Sequence, residues 1–159
     1  MKVNVLGCGN ILASDEGAGI HVVRKINKYR FPSEVKIFEV GRPGTSLLDF
    51  LLGAELLIII DAVITGDKPG SIIKYDTDNY TPQELFKMSI HGFNLINSYD
   101  SGMKQFPQIM PVKFILYGIE VKERGKFSAN LSSPIKKSVN RLVRDLKKEI
   151  LLVYQKEKS

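Results

Sequence analysis

The chain has 159 residues, of which 43% are apolar and 25% are charged, and its formal net charge is +6. This length and composition are typical of one soluble globular domain spanning residues 1–159, and they exclude disordered, collagen-like and low-complexity classes. The single cysteine, Cys8, excludes an intramolecular disulfide and a multi-cysteine metal site, and it favours a reducing, cytoplasmic compartment.

Neither a membrane nor a nucleic acid is indicated as a partner. The first residues contain no apolar stretch of signal-peptide type, and the longest apolar run, Leu56–Ile60, is far shorter than the roughly 20 residues of a membrane helix. Positive charge is concentrated in residues 136–159, which hold 8 of the 23 Lys and Arg but only 3 of the 17 acidic residues. No nucleic-acid motif accompanies this charge, so we interpret it as a solvated helix face.

Short apolar segments alternate with stretches of helical periodicity along the chain. The pattern predicts strands at 3–6, 35–40, 56–60, 71–75 and 112–118, and helices at 17–30, 45–52, from 81 and from 133. Thr45 and Ser46 are candidate caps for the second helix. Thr81 begins the third with a capping box completed by Glu84, and the last begins at Ser133.

Strands separated by helices need crossover connections, which place helices on both faces of a mostly parallel sheet. The uniformly apolar run Leu56–Ile60 is typical of a strand buried on both faces, whereas 71–75 is expected at an edge. We therefore predict a three-layer α/β fold with a twisted five-stranded sheet between helices, of the phosphorylase/hydrolase-like type. Ligands of such folds bind beyond the carboxyl ends of the strands.

Residues 7–12, GCGNIL, follow a strand and precede a helix, as a dinucleotide-binding motif does. Leu12 occupies the place of the third glycine, and Asp15 and Glu16 would repel a pyrophosphate at the helix N-terminus. Glu39, at the end of the second strand, could still bind a ribose. A Rossmann-like nucleotide-binding module is thus the alternative function. Otherwise the two glycines of the motif are expected only to permit a tight turn.

Three ionisable residues could meet at one edge of the sheet. Glu16 follows the first strand and Asp61 ends the most apolar one, while His91 lies between two helical segments. The other histidine, His21, lies mid-helix and is assigned to packing or to the surface. One imidazole and two carboxylates suit Ni(II), Zn(II) or Mn(II) and leave positions open for substrate. Taken singly, Glu16 and Asp61 are equally well explained as helix-dipole and capping acids.

The common hydrolase motifs are missing from the sequence. There is no G-x-S-x-G elbow and no H-E-x-x-H pair, and no spacing of Ser, His and Asp singles out a triad. Cys8 has no histidine near it in sequence.

Several short motifs resemble those of the NiFe hydrogenase maturation endopeptidases and occur in the same order. They are LGCGNIL at 6–12 with DEGAG at 15–19, IDA at 60–62 with Gly66 and Pro69-Gly70, SIH at 89–91, YGIE at 117–120, and LSSP at 131–134. The chain departs from the family pattern in having Val121 after Glu120, Gly92 after His91, and an additional serine before Pro134.

The resemblance implies a specific peptide cleavage. An endopeptidase of this kind removes the C-terminal extension of a hydrogenase large-subunit precursor, with nickel supplied by that substrate as the recognition element. Glu16, Asp61 and His91 are implied as the metal-binding and catalytic residues, and another divalent metal could occupy the same ligands. Asp15 is expected either to orient Glu16 or to cap a helix.

Overall fold

Five strands and five α-helices make up the computed structural model, which describes residues 1–41, 47–122 and 127–159. The strands are β1 (Val3–Cys8), β2 (Val35–Val40), β3 (Leu56–Val63), β4 (Ile72–Asp76) and β5 (Lys113–Glu120). The helices are α1 (Ala18–Ile26), α2 (Leu48–Leu51), α3 (Pro82–Met88), α4 (Phe93–Gln105) and α5 (Ser133–Glu157). Short 3-10 turns lie at Ser14–Gly17 and Pro107–Ile109.

The strands form one sheet in the order β2-β1-β3-β5-β4. Four of them are parallel, and only the edge strand β4 runs antiparallel to its neighbour β5. Helices α1 and α5 pack on one face, and α2, α3 and α4 pack on the other. This arrangement confirms the predicted fold class. The strand order reverses between β1 and β3, and this is the position at which α/β sheets open a crevice for ligands.

Strand β3 is buried along its whole length because helices cover both of its faces. Leu56, Ile58 and Ile60 pack toward α1 and α5, whereas Leu57 and Ile59 pack toward α2–α4. Successive side chains of a strand point to opposite faces. The strand continues past Ile60 to Val63, so Asp61 lies within it and shares the face of Ile59.

Two glycines of the GCGNIL motif have different roles. The prediction of a tight turn is right for Gly9, whose φ is +146°, but wrong for Gly7, which lies inside β1 because the strand extends to Cys8. A Cβ on Gly7 would collide with the carbonyl of Gly19 and with Val23 of α1. Gly7 therefore allows close packing of helix on strand.

Other predicted features are confirmed with small changes in length. Thr81 forms the expected capping box with Glu84, and the apolar face of α5 is buried against α1 and the sheet. Helix α1 ends at Ile26, shorter than predicted. The proposed caps Thr45 and Ser46 lie outside the described residues. Within the described ranges, no helix has both the length and the apolar character needed to cross a bilayer.

The contact between α1 and the sheet gives a stability prediction. A Cβ at Gly19 would collide with the backbone carbonyls of Ile60 and Cys8. Although Ala is a better helix former than Gly by about 1 kcal/mol, overpacking against rigid backbone costs up to about 3 kcal/mol. We expect Gly19→Ala to lower the free energy of unfolding by about 2 kcal/mol in urea denaturation.

Gly102→Ala in α4 is the matched control, because its Cβ would meet only the flexible ends of Met110 and Leu48. We expect this variant to stay within about 1 kcal/mol of the wild type. Equal stabilities for the two variants would contradict the close packing of α1.

Candidate active site

A buried carboxylate, Asp61, lies near the end of β3, beside the carboxyl end of β1. Its side chain is fully buried on the sheet face covered by α2–α4. The segment 89–91 between α3 and α4 crosses this point, and Ile90 N donates a hydrogen bond of 3.2 Å to the carbonyl of Ala62. The backbone of the segment is thereby fixed to β3, one residue beyond Asp61.

Four protein groups contact the two oxygens of Asp61. Oδ1 accepts from Ala62 N at 2.8 Å and lies 2.8 Å from His91 Nδ1. Oδ2 accepts from His91 N at 2.8 Å and from the hydroxyl of Ser89. A carboxylate accepts hydrogen bonds and does not donate them, so His91 Nδ1 carries the proton of this contact and Nε2 is the basic nitrogen of the ring. Asp61 therefore fixes both the backbone and the ring of His91.

Glu16 lies on the 3-10 turn Ser14–Gly17, which packs against β3, and its side chain is buried. Gly9 contacts the turn so closely that a Cβ on it would collide with the carbonyl of Glu16. On the other side, Ser14 N donates to Ser128 O at 2.8 Å and the Ser14 hydroxyl donates to Asn130 O at 3.0 Å. Ser14 has a φ of +51°, an unusual conformation for serine that these two bonds support.

Asp15 does not cap the helix that follows it. Its carboxylate accepts hydrogen bonds from Ser132 N at 2.8 Å and from the Ser132 hydroxyl at 2.7 Å. The residues preceding the 3-10 turn and α1 are Ala13 and Gly17, and neither helix start has a side-chain cap. The prediction that Asp15 caps a helix at this point is wrong, because the carboxylate instead joins the turn to the residue before α5.

The structure brings Asp61 and His91 into direct contact and places the turn bearing Glu16 beside the same strand. Among residues 1–41, 47–122 and 127–159, no group of three His, Cys, Asp or Glu side chains is arranged to hold a metal ion. The three predicted ligands therefore do not form a preassembled three-residue metal site. An ion bound here would need a rearrangement or further ligands from another molecule.

The contact between Asp61 and His91 has a spacing that suits a metal ion. Two ligands at right angles on one ion, each at the usual bond length, are about 3 Å apart, close to the 2.8 Å between Asp61 Oδ1 and His91 Nδ1. A divalent ion bound to both atoms would displace the shared proton and release it. The ring and the carboxylate would have to turn toward the ion, because it cannot lie on the line that joins the two atoms, and the ion would bring ligands of its own.

Two buried polar residues, one in the site and one at the end of the neighbouring strand, have roles that the sequence analysis did not assign. Ser89 was noted only as part of a motif, yet its hydroxyl donates to the buried oxygen of Asp61. Glu120, at the end of β5, is buried and accepts from Thr65 N at 2.8 Å, the Thr65 hydroxyl at 2.8 Å and Gly66 N at 3.0 Å. Glu120 thereby holds the loop that follows β3.

Neither Cys8 nor His21 behaves as a reactive group. Burial, with a smaller contribution from the charge of Asp61, raises the pKa of the Cys8 thiol well above its usual value. Burial and the neighbouring cations Arg24 and Lys25 lower the pKa of His21. Cys8 thus keeps its proton at neutral pH and is a poor nucleophile, and His21 is neutral there, which suits the packing role predicted for it.

A family model and a curated relative both relate this chain to proteins of hydrogenase maturation. A family model described as HycI, hydrogenase maturation protease, matches residues 20–149, a range that includes Asp61 and His91 but not Glu16. The hydrogenase expression/formation protein HoxM of Azotobacter vinelandii is 31% identical over 140 residues, covering 85% of this chain and 65% of HoxM. The chain therefore spans just under two thirds of the length of this curated relative.

Solved structures extend the similarity to the fold. The hydrogenase maturating endopeptidase HybD from E. coli matches with a TM-score of 0.77 and 25% identity, covering 92% of this chain and 90% of HybD. The NiFe hydrogenase maturation protease HybD from Thermococcus kodakarensis matches with a TM-score of 0.77 and 26% identity, covering 94% and 99%.

The hydroxyl of Ser89 should stabilise the site measurably. Ser89→Ala removes a donor from a buried carboxylate, which costs about 1–3 kcal/mol. We expect the free energy of unfolding to fall by this amount, and the NMR signals of the His91 ring to shift as Asp61 loses one of its partners. Ser101→Ala is the control, because its hydrogen bond to Gln105 is exposed; it should change stability by less than about 0.5 kcal/mol. Equal effects of the two changes would contradict the role of Ser89.

The raised pKa and burial of Cys8 predict low thiol reactivity. We expect iodoacetamide to leave the folded protein unmodified near neutral pH and to alkylate Cys8 rapidly once urea unfolds the chain. Mass spectrometry of the intact protein measures the added mass. Rapid alkylation of the folded protein would show that Cys8 is accessible as a thiolate.

Proposed function

The chain belongs to the hydrogenase maturation protease family, and we propose that it is an endopeptidase acting on a NiFe hydrogenase large-subunit precursor. The peptide bond that it cleaves joins the mature subunit to a C-terminal extension. The observation that carries this proposal is the Asp61–His91 pair near the carboxyl end of β3, in a fold shared with hydrogenase maturation endopeptidases. We further propose that the protein meets this precursor in the cytoplasm.

Nickel enters this proposal as part of the substrate. The precursor would present the ion on its own thiolates, and Glu16, Asp61 and His91 would supply the remaining ligands. The three residues would come together around the ion only when the precursor brings it, because within the described ranges they do not already form a three-residue metal group. An unloaded precursor lacks that contact and binds more weakly, which is discrimination by a difference in affinity.

The residues of the chain would contribute mainly by holding and orienting groups. When bound, a divalent ion next to the scissile carbonyl polarises it and favours attack by water. Asp61 and Ser89 hold His91 in place, and the contacts of the Ser14–Gly17 turn hold Glu16. Hydrolysis then adds water to the carbonyl carbon, breaks the C–N bond and transfers a proton to the leaving amine.

The nucleotide-binding alternative has less support. Glu39, the residue that would bind a ribose, forms two hydrogen bonds with Arg24, at 2.7 Å and 3.1 Å. Two acidic residues also occupy the turn where a phosphate would have to bind.

The site assignment predicts the behaviour of three variants. We expect Glu16→Gln, Asp61→Asn and His91→Ala each to slow release of the C-terminal peptide from nickel-loaded precursor at least about 100-fold, because each removes a contact to the ion. Mass spectrometry of the precursor over time gives the rate, and urea denaturation checks that each variant is folded.

Two variants serve as controls. Asp78→Asn alters an exposed carboxylate beside Lys113, at the amino end of β5, and Cys8→Ser alters a thiol with no part in the reaction; both should process precursor at the wild-type rate. Wild-type rates for all three site variants would show that the assignment is wrong.

A further inference from the structure

A groove lies beyond the carboxyl ends of β1 and β2, between α1 and α2. Its volume is about 680 Å³, within the range of small-ligand and side-chain pockets. We call it the β1–β2 groove. Its lining is mainly apolar and includes Leu12, Ile20, Val40 and Phe50, and the Arg24–Glu39 ion pair is also in its wall.

The groove borders the turn that bears Glu16. Gly9 lines it and also contacts the carbonyl of Glu16 so closely that no side chain fits between them. Only Gly9 therefore lies between the groove and the backbone of Glu16, a distance that one or two residues of an extended chain span.

Leu12 presents an exposed apolar side chain from a well-ordered backbone. Its N–H donates to Asn10 Oδ1 at 3.0 Å and its carbonyl accepts from Ser128 N at 2.9 Å, which fixes the backbone. The side chain is nevertheless 48% exposed. Covering such a side chain with another apolar group is favourable, and little conformational entropy is lost because the backbone is already ordered.

We propose that the β1–β2 groove binds an apolar side chain of the precursor peptide next to the scissile bond. This inference rests on the proposed function, and it adds a specificity pocket that selects the sequence around the cleavage point, in addition to the ion. A peptide fits the groove better than a nucleotide, because Glu39 is engaged by Arg24 and the adjoining turn carries Asp15 and Glu16, which repel phosphate.

A binding experiment tests the groove without relying on cleavage. The probe is a fluorescein-labelled synthetic peptide spanning the precursor cleavage point, measured by fluorescence anisotropy with the whole chain. We expect Leu12→Asp to weaken binding about tenfold or more, the effect of losing one buried apolar contact. Leu152→Asp, a change at a leucine of α5 that is 53% exposed, should leave the affinity unchanged.

A second peptide identifies the side chain that enters the groove. In it, the apolar residue beside the scissile bond is replaced by Asp. We expect the wild type to bind this second peptide about tenfold more weakly than the first. The Leu12→Asp variant should bind the two peptides with more similar affinities, because the change in the protein and the change in the peptide remove the same contact. Equal affinities of wild type and Leu12→Asp for the first peptide, or no binding by either, would overturn the proposal.

Other outcomes distinguish a failure of the groove proposal from a failure of the proposed protease function. If Glu16→Gln binds the peptide like the wild type but does not process precursor, the groove and the cleavage site are distinct and both stand. If the wild type binds the peptide in a Leu12-dependent way but never cleaves a loaded precursor, the groove stands and the protease function fails. Thermal stabilisation of the wild type by ATP or NAD that Leu12→Asp abolishes would make the groove a nucleotide site and overturn the proposal.

Discussion

The hydrogen bonds to the carboxylate of Asp61 hold the candidate site together. Asp61 is fully buried, and burying a charged group is costly unless its hydrogen-bonding capacity is satisfied. Four donors from three residues provide this compensation, and all but one of them belong to segment 89–91. The same bonds that stabilise the charge therefore fix His91 at the end of β3.

The location of this carboxylate follows from the topology of the sheet. Strand β1 leads through α1 to β2 on one side, and the chain then returns through α2 to β3 on the other side of β1. The two connections diverge and leave a crevice between the ends of β1 and β3. Side-chain alternation then directs Asp61 to the face of α2–α4, where segment 89–91 passes, while the turn bearing Glu16 closes the crevice from β1.

Much of this arrangement could be predicted from the sequence, because its causes are local. Apolar periodicity located the strands, and the rule that parallel strands end at one edge placed Glu16 near Asp61. His91 was grouped with Asp61, but the contacts of Asp61 with Ser89 and of Asp15 with Ser132 could not be predicted, because these serines are 28 and 117 residues away and only tertiary packing brings them close. Gly7 was misjudged for the same reason, since its neighbour is a helix and not a turn.

The dependence of cleavage on the metal carried by the precursor tests the account most directly. The same large-subunit precursor would be prepared with and without nickel, incubated with the enzyme, and analysed by mass spectrometry for loss of a C-terminal peptide. The account predicts release of the peptide from the nickel-loaded precursor and not from the metal-free one. Equal release from both, or release from neither, would contradict recognition of the ion by Glu16, Asp61 and His91.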